Sequence, residues 1–330
     1  MTQLADPQTS MARRQALGLL RKIGPVIGLV LVFALFALLR PATFPTLENM
    51  QIVLTETAVV GTAALGATII IISAGIDLSV GSNIALCTVV IAQMLVSHQP
   101  PWLAALAGIG AGMGVGLTIG LLVTLLDLPP FIATLGLLTA IRGLAEGAAN
   151  DSEVYAPITP LNSLLRKLMP GEHWMLFPRG VWIMLALTVV VALVLRYTRF
   201  GRHVFAIGSN EQTARLCGVR VKQTKILIYV FAGLFAGIAG LLQFSYLTQG
   251  DPTTAKGLEL DIIAAVVIGG ASLSGGEGGV GGTLVGALIM TIVSNGCTKM
   301  DVPNSRQEII TGVIIVVAVT LDRLRQRRMK

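Results

Sequence analysis

Residues 57–76 read TAVVGTAALGATIIIISAGI, and this stretch decides the fold class because it contains no charged side chain. A helix needs about 20 such residues to cross the hydrocarbon of a bilayer. The rest of the chain has the same character, since 54% of its 330 residues are hydrophobic and only 12% are charged. A soluble domain has about 25% charged residues. The sequence therefore predicts an all-α polytopic membrane protein.

Nine more uncharged runs flank this stretch: residues 23–39, 78–97, 100–126, 128–141, 180–195, 226–250, 262–276, 278–298 and 309–321. Together they predict about ten transmembrane helices within one membrane domain at 23–321. Several runs are too short for a full crossing, so those helices must include flanking residues, tilt, or lie partly re-entrant in the bundle. An even number of spans places both termini on one side of the membrane.

The basic residues predict which side that is. The N-terminal tail 1–22, the loop 196–225 and the C-terminal tail 322–330 hold four, seven and five of the 24 Lys and Arg residues, with only three acids among them. Cytoplasmic loops carry such an excess of positive charge. Both termini and the 196–225 loop are therefore predicted to be cytoplasmic. The same bias accounts for the net charge of +7 without a nucleic-acid partner.

One predicted span carries a regular row of glycines. Gly108, Gly112, Gly116 and Gly120 recur every four residues and so lie on one helix face. Such a face allows another backbone to come close, which is how many membrane helices associate. We interpret it as a helix-packing face, with a hinge or gate as the alternative.

Polar, glycine-containing segments interrupt two of the apolar stretches, at residues 73–83 and 271–283. Breaks of this kind point to a transport pathway, because non-helical backbone at membrane depth must line protein or water. Asp77, Ser79, Asn83 and Gln243 are the candidate pathway residues. Asp77 has a buried structural role as its alternative, and the polar amides could instead bond between helices. The second break is better interpreted as a tight cytoplasmic turn.

Catalytic signals are missing from the sequence. No phosphate-binding Gly-x-x-x-x-Gly-Lys-Ser/Thr occurs, and the three cysteines and three histidines are far apart. No catalytic residue, cofactor or metal site is predicted, so transport is the indicated class. An ion-coupled secondary transporter of a small polar solute is the alternative, and it would need a buried set of ionisable groups.

The basic loop contains signals for a short helix. Asn210 can cap it, Glu211 suits its positively polarised start, and Gly218 can end it. Arg215 is then available to a partner. The alternative is a solvated basic tether that only sets topology.

Four stretches, in order, resemble bacterial ABC importer permeases of the ribose and monosaccharide branch. They are GIDLSVGS at 75–82; PPFIATLG at 129–136, continuing to Arg142–Ala145; FGRHVFAIGSN at 200–210, running into ARLCG at 214–218; and ELDIIAAVVIGG at 259–270 with GGTLVGA at 281–287. The resemblance extends from about residue 50 to the C-terminus. Cys217 stands where a small residue such as Ser is expected.

The resemblance implies a membrane-spanning permease subunit that moves a monosaccharide, such as a ribose-like pentose, across the bacterial inner membrane. It implies two cytoplasmic ATPase subunits, a second permease subunit as homodimer or heterodimer, and a periplasmic or lipoprotein sugar-binding protein. ATP would be hydrolysed in the partner, so this chain would not itself be an enzyme. Residues Asn210, Glu211, Ala214, Arg215 and Gly218 would form the ATPase-coupling segment.

Overall fold

A computed structural model describes residues 24–168 and 175–327 of the chain. The predicted N-terminal tail 1–22 and the end of the basic C-terminal tail lie outside these residues. The helices are α1 (Gly24–Leu39), α2 (Leu47–Ile72), α3 (Val80–Val96), α4 (Pro101–Leu125), α5 (Pro130–Ala148), α6 (Arg179–Tyr197), α7 (Arg199–Ser209), α8 (Glu211–Leu216), α9 (Val221–Leu247), α10 (Leu258–Ile268), α11 (Val280–Lys299) and α12 (Asn304–Arg327). Two short strands, β1 (Val154–Tyr155) and β2 (Gln249–Gly250), pair antiparallel.

Each of the ten apolar runs falls on one helix, namely α1 to α6 and α9 to α12. Six helices, α2, α4, α5, α6, α9 and α11, are long and apolar enough to cross a membrane. The apolar helices α1 and α3 are shorter. The prediction of an all-α, multi-pass membrane protein is therefore confirmed, while the number of ten spans stays a prediction.

The run 262–276 differs most from its helix. Helix α10 has 11 residues and ends at Ile268, so it is about 16 Å long, roughly half the hydrocarbon thickness. Gly270, with φ of +93°, follows its end. The remaining residues of the run, 269–276, belong to a loop that continues to residue 279, so they do not form the second half of a span.

Helix α2 lies at the centre of the bundle and is contacted by α6, α9, α10 and α11. Leu65, Ile70 and Ile72 are almost entirely buried. Thr46 caps the helix by accepting a hydrogen bond from the amide of Asn49 at 3.2 Å. The helix therefore begins ten residues before the uncharged run that predicts it.

Helices α4 and α9 meet through glycine. A β-carbon on Gly112 would lie 2.6 Å from the carbonyl oxygen of Gly233, and one on Gly120 would lie 3.0 Å from the α-carbon of Ile226. Gly116 faces the backbone of Tyr229 in the same row, while Gly108 faces Ile91 of α3. The backbones are close enough that no other residue fits without moving a helix.

Helices α2 and α11 meet through hydrogen-bonded polar side chains instead. The pairs are Asn49 with Asn295 at 2.9 Å, Thr57 with Thr291 at 2.7 Å, and Thr68 with Thr283 at 2.8 Å. All six side chains are buried. Their order shows that the two helices run antiparallel over most of their length.

Candidate functional site

The first polar break shapes the start of α3. Oδ1 of Asp77 accepts hydrogen bonds from the amide of Ser79 at 2.8 Å and from its hydroxyl at 2.7 Å. This is the local turn that aspartate forms with the residue two positions later. Ser79 itself is buried. The geometry gives Asp77 a structural task in the turn that leads into α3.

Asn83 bridges two helices. Its side-chain nitrogen donates to the carbonyl of Gly112 on α4 at 3.3 Å, and its side-chain oxygen accepts from the thiol of Cys87 at 3.6 Å. The side chain is buried. Of the four candidate pathway residues, Asp77, Ser79 and Asn83 therefore belong to the start of α3, and the structure does not bring them together with Gln243.

Gln243 instead lines a cavity of about 260 Å³ between α2, α9, α10 and α11. Its amide nitrogen donates to the hydroxyl of Thr254 at 2.8 Å. The polar part of the lining also includes Glu56, Tyr246, Asp261, Thr291 and Ser294, and the rest is apolar. Glu56 lies in the first half of α2, and α2 ends beside α7, so the cavity occupies the half of the bundle away from the basic segment.

Sequence reasoning missed the two carboxylates of this cavity. Glu56 lies one residue before an uncharged run, and Asp261 lies one residue before another. Both look like residues at the ends of spans, yet each falls inside a helix because α2 and α10 begin earlier than their runs. The available signal was the helix-start pattern at Thr46, which extends α2 past Glu56.

Arg142 holds the segment Pro252–Thr254, which lies beside the cavity. Arg142 and Glu146 are four residues apart, a spacing that would allow an ion pair on one face of α5. In the structure the guanidinium of Arg142 instead donates to the carbonyls of Pro252 at 2.6 Å and Thr254 at 2.7 Å. Because Thr254 also bonds to Gln243, Arg142 positions a neighbour of the cavity rather than the cavity wall itself.

The basic loop contains two helices, α7 and α8. The side chain of Asn210 accepts a hydrogen bond from the amide of Thr213 at 2.8 Å and so caps α8. Gly218, with φ of +83°, follows the end of α8 in the left-handed conformation that glycine adopts without strain. The backbone of this segment therefore matches the short helix that the sequence indicates, and its role in coupling stays a prediction.

The charges of α8 are paired inside the chain. Glu211 accepts from Arg215 at 3.2 Å and from Lys225 of α9 at 2.6 Å. Arg215 remains 66% exposed at its side chain, while Ala214 is buried beneath it. Leu216, at the end of α8, is 89% exposed. The outer face of α8 thus combines an accessible arginine with an uncovered leucine.

Gly208 of helix α7 lies where that helix meets the end of α2. Gly208 lies directly against the carbonyl of Ile72, the last residue of α2. The same carbonyl accepts a hydrogen bond from the amide of Gly276 at 2.8 Å. The end of α2, the basic segment and the loop that leads to α11 therefore meet at one backbone junction.

Within the described residues, no group of three or more His, Cys, Asp or Glu side chains is placed to hold a metal ion. The notable parts of the fold are a polar cavity in one half of the bundle and an exposed basic segment at the other end. A cavity joined to an exposed basic segment through a central helix is an arrangement suited to moving a solute.

Comparison with known proteins agrees with this arrangement. Residues 49–319 match the family model described as branched-chain amino acid transport system / permease component. The chain is 38% identical to the ribose import permease protein of Bacillus subtilis (strain 168), over 96% of this chain and 97% of the relative. It is 40% identical to a probable ABC transporter permease protein of Escherichia coli (strain K12), over 94% and 91%.

A third relative, the L-arabinose transport system permease protein of Escherichia coli (strain K12), is 34% identical over 91% of each chain. Among solved structures, none gives a significant match to this chain. The likeness to the permeases extends over nearly the full length of both partners, so it covers the cavity and the basic segment alike.

Proposed function

The chain belongs to the branched-chain amino acid transport system / permease component family, and we propose that it is the membrane-spanning permease subunit of an ABC importer for a monosaccharide. The observation that carries the proposal is near-full-length identity of 34–38% to permeases named for ribose and L-arabinose. The natural substrate class is therefore a pentose or a related small sugar.

The energy for transport would come from a separate ATPase. The sequence has no P-loop of its own. The exposed face of α8, with Arg215 and Leu216, is the surface on which we place that ATPase. Asn210, Glu211 and Gly218 hold the helix in shape, and Gly208 links it to the end of α2. Closure of the ATPase would then move α2 as a rigid body.

The orientation follows from the same placement. With the basic loop in the cytoplasm, ten spans would put both termini in the cytoplasm too, as the distribution of Lys and Arg favours. The bacterial inner membrane is the location that this assembly requires. The cavity then lies in the outer half of the bilayer, where a periplasmic or lipoprotein binding protein would release its sugar. A second permease subunit, identical or related, would complete the membrane part.

Reconstitution tests this function. The chain is placed in liposomes with the P-loop ATPase and the secreted sugar-binding protein expected beside its gene, and uptake of radiolabelled ribose and L-arabinose is measured. Uptake should require ATP and both partners. The matched control is the chain alone under a proton or sodium gradient. Concentrative uptake in that control would show an ion-coupled secondary transporter and contradict the importer.

A further inference from the structure

We propose that the cavity between α2, α9, α10 and α11 is a transient binding site for a neutral monosaccharide, and that Glu56 and Asp261 accept hydrogen bonds from the hydroxyl groups of the sugar. This inference rests on the proposed permease function and assigns the site that the solute occupies on its way through the chain.

The size of the cavity fits one sugar ring. Its volume of about 260 Å³ lies just below the lower end of the ~300–1,000 Å³ range of small-molecule sites. A disaccharide would need a larger space. Val60 and Met290 give the wall an apolar part, against which the C–H groups of a sugar can pack. A single ring with hydroxyls on its rim is the solute shape that matches this mixture.

The two carboxylates lack hydrogen-bond partners among the residues that the structure describes. Oδ1 of Asp261 is buried and has no hydrogen-bond partner among the described residues. Glu56, which is half-buried, forms no ion pair or hydrogen bond with any described residue. A carboxylate inside a membrane bundle is costly unless it is paired or hydrated. Oδ1 of Asp261 therefore needs a donor from beyond the described residues, Glu56 offers further acceptors beside it in the cavity lining, and the hydroxyls of a sugar are suitable donors.

The remaining polar lining supports a polyol over an anion. Gln243, Tyr246 and Ser294 contribute amide and hydroxyl groups that can both donate and accept. Among the described residues that line the cavity, none is Lys or Arg. A phosphorylated sugar would bring its charge against Glu56 and Asp261 without a basic group to offset the repulsion. The site therefore suits a neutral sugar that offers several hydroxyl donors.

Uptake by the assembled importer tests this site. The permease, its ATPase and its loaded binding protein are reconstituted, and initial rates are measured with whichever of ribose and L-arabinose the wild type takes up. The variants are Glu56→Ala, Asp261→Ala, Glu56→Gln and Asp261→Asn. Removing a hydrogen bond to a charged acceptor should slow uptake roughly tenfold in the alanine variants. The amide variants keep one acceptor oxygen, so they should fall between alanine and the wild type.

Matched controls come from exposed acids elsewhere in the chain. Glu308→Gln and Asp151→Asn make the same chemical changes at exposed positions and should transport at the wild-type rate. Basal ATPase activity of each assembly shows that the permease is folded and docked. Val60→Phe fills the cavity without changing a polar group, and it should also abolish uptake in an assembly that still hydrolyses ATP.

Each possible result of the uptake measurements either supports or overturns the proposed sugar site. Wild-type uptake by folded alanine variants, or by folded Val60→Phe, would overturn the site. Amide variants as slow as the alanine variants would show that uptake depends on the negative charge and not on an acceptor oxygen, and this would overturn the assignment to a neutral sugar. An assembly in which the wild type itself takes up neither sugar with ATP would remove the proposed function and this site together. If the wild type takes up a sugar with ATP but the variants do not behave as expected, the binding site is wrong and the proposed function stands.

Discussion

The contacts α4–α9 and α2–α11 both join antiparallel helices, but they differ in the residues that form them. Glycines form the first contact, and hydrogen-bonded polar side chains form the second. In the first, glycines bring two backbones together, so that the β-carbon of any other residue at Gly112 would meet a carbonyl oxygen at 2.6 Å. In the second, buried polar side chains such as Thr57 and Thr291 bond across the interface at 2.7 Å. The glycine contact has no space within it, while the polar contact borders the cavity.

The difference indicates which contact supports the fold and which takes part in function. A backbone contact cannot be repacked by changing a rotamer, so α4 and α9 should behave as one rigid unit. Side chains that bond across a gap can exchange partners. Helix α2 also ends at the junction with Gly208 and Gly276. We therefore expect α2 and α11 to be the pair that rearranges during transport.

The largest effect should come from crowding the glycine contact. Gly116 faces the carbonyl of Tyr229 so closely that any β-carbon must push α4 and α9 apart. Overpacking commonly costs about 1–3 kcal/mol, and Gly116→Val should reach the upper end because backbone is the obstacle. Little folded protein should be recovered from the membrane, as measured by size-exclusion chromatography of a fluorescent fusion.

Gly114 provides the matched control. It lies on the same helix, and a β-carbon there would meet nothing within 4 Å. Gly114→Val should therefore be recovered near the wild-type level. Equal losses in both variants would show that the effect comes from valine in α4 and not from the contact with α9.

The row of glycines on α4 can be recognised in the sequence, whereas the polar pairs between α2 and α11 cannot, for a physical reason. A period of four residues is a local pattern, and so are the cap at Asn210 and the glycine at Gly218. The pairing of Asn49 with Asn295 joins residues 246 positions apart, so nothing in either segment indicates the other. The site carboxylates Glu56 and Asp261 were missed in the same way, because their neighbours come from distant helices.

A smaller effect is expected at the end of the polar contact. Asn49 donates both to Asn295 and to the carbonyl of Phe44 at 3.0 Å. Asn49→Leu keeps the volume and removes both bonds, which should destabilise the folded state by about 2 kcal/mol. The melting temperature in detergent measures the change. A double-mutant cycle with Asn295→Leu should be clearly non-additive, whereas additive effects would mean that the two side chains act independently.

The central threonine pair should matter less. Interhelical hydrogen bonds in membrane proteins average about 0.6 kcal/mol. Thr57→Val keeps the shape and should lower the free energy of unfolding by about that amount. Thr118→Val is the control, because Thr118 is exposed and bonds only to the carbonyl of Gly114 in its own helix. A Thr57→Val effect as large as that of Gly116→Val would erase the distinction between the two contacts.

The smallest effect on the chain itself should occur at Leu216, which is 89% exposed at the end of α8. Surface substitutions usually change stability by less than about 0.5 kcal/mol, so Leu216→Ala should leave the melting temperature unchanged. If the ATPase covers this leucine, however, its truncation removes a contact of about 1.5–3 kcal/mol and weakens co-purification of the ATPase roughly tenfold or more.

Ile158, 91% exposed in the segment after β1, provides the matched control, and Ile158→Ala should retain the ATPase fully. The junction at Gly208 then explains why docking at α8 would reach α2 before it reaches the rigid α4–α9 unit. Full retention of the ATPase by Leu216→Ala would contradict this docking surface, and the end of α8 would be no more than a solvated turn.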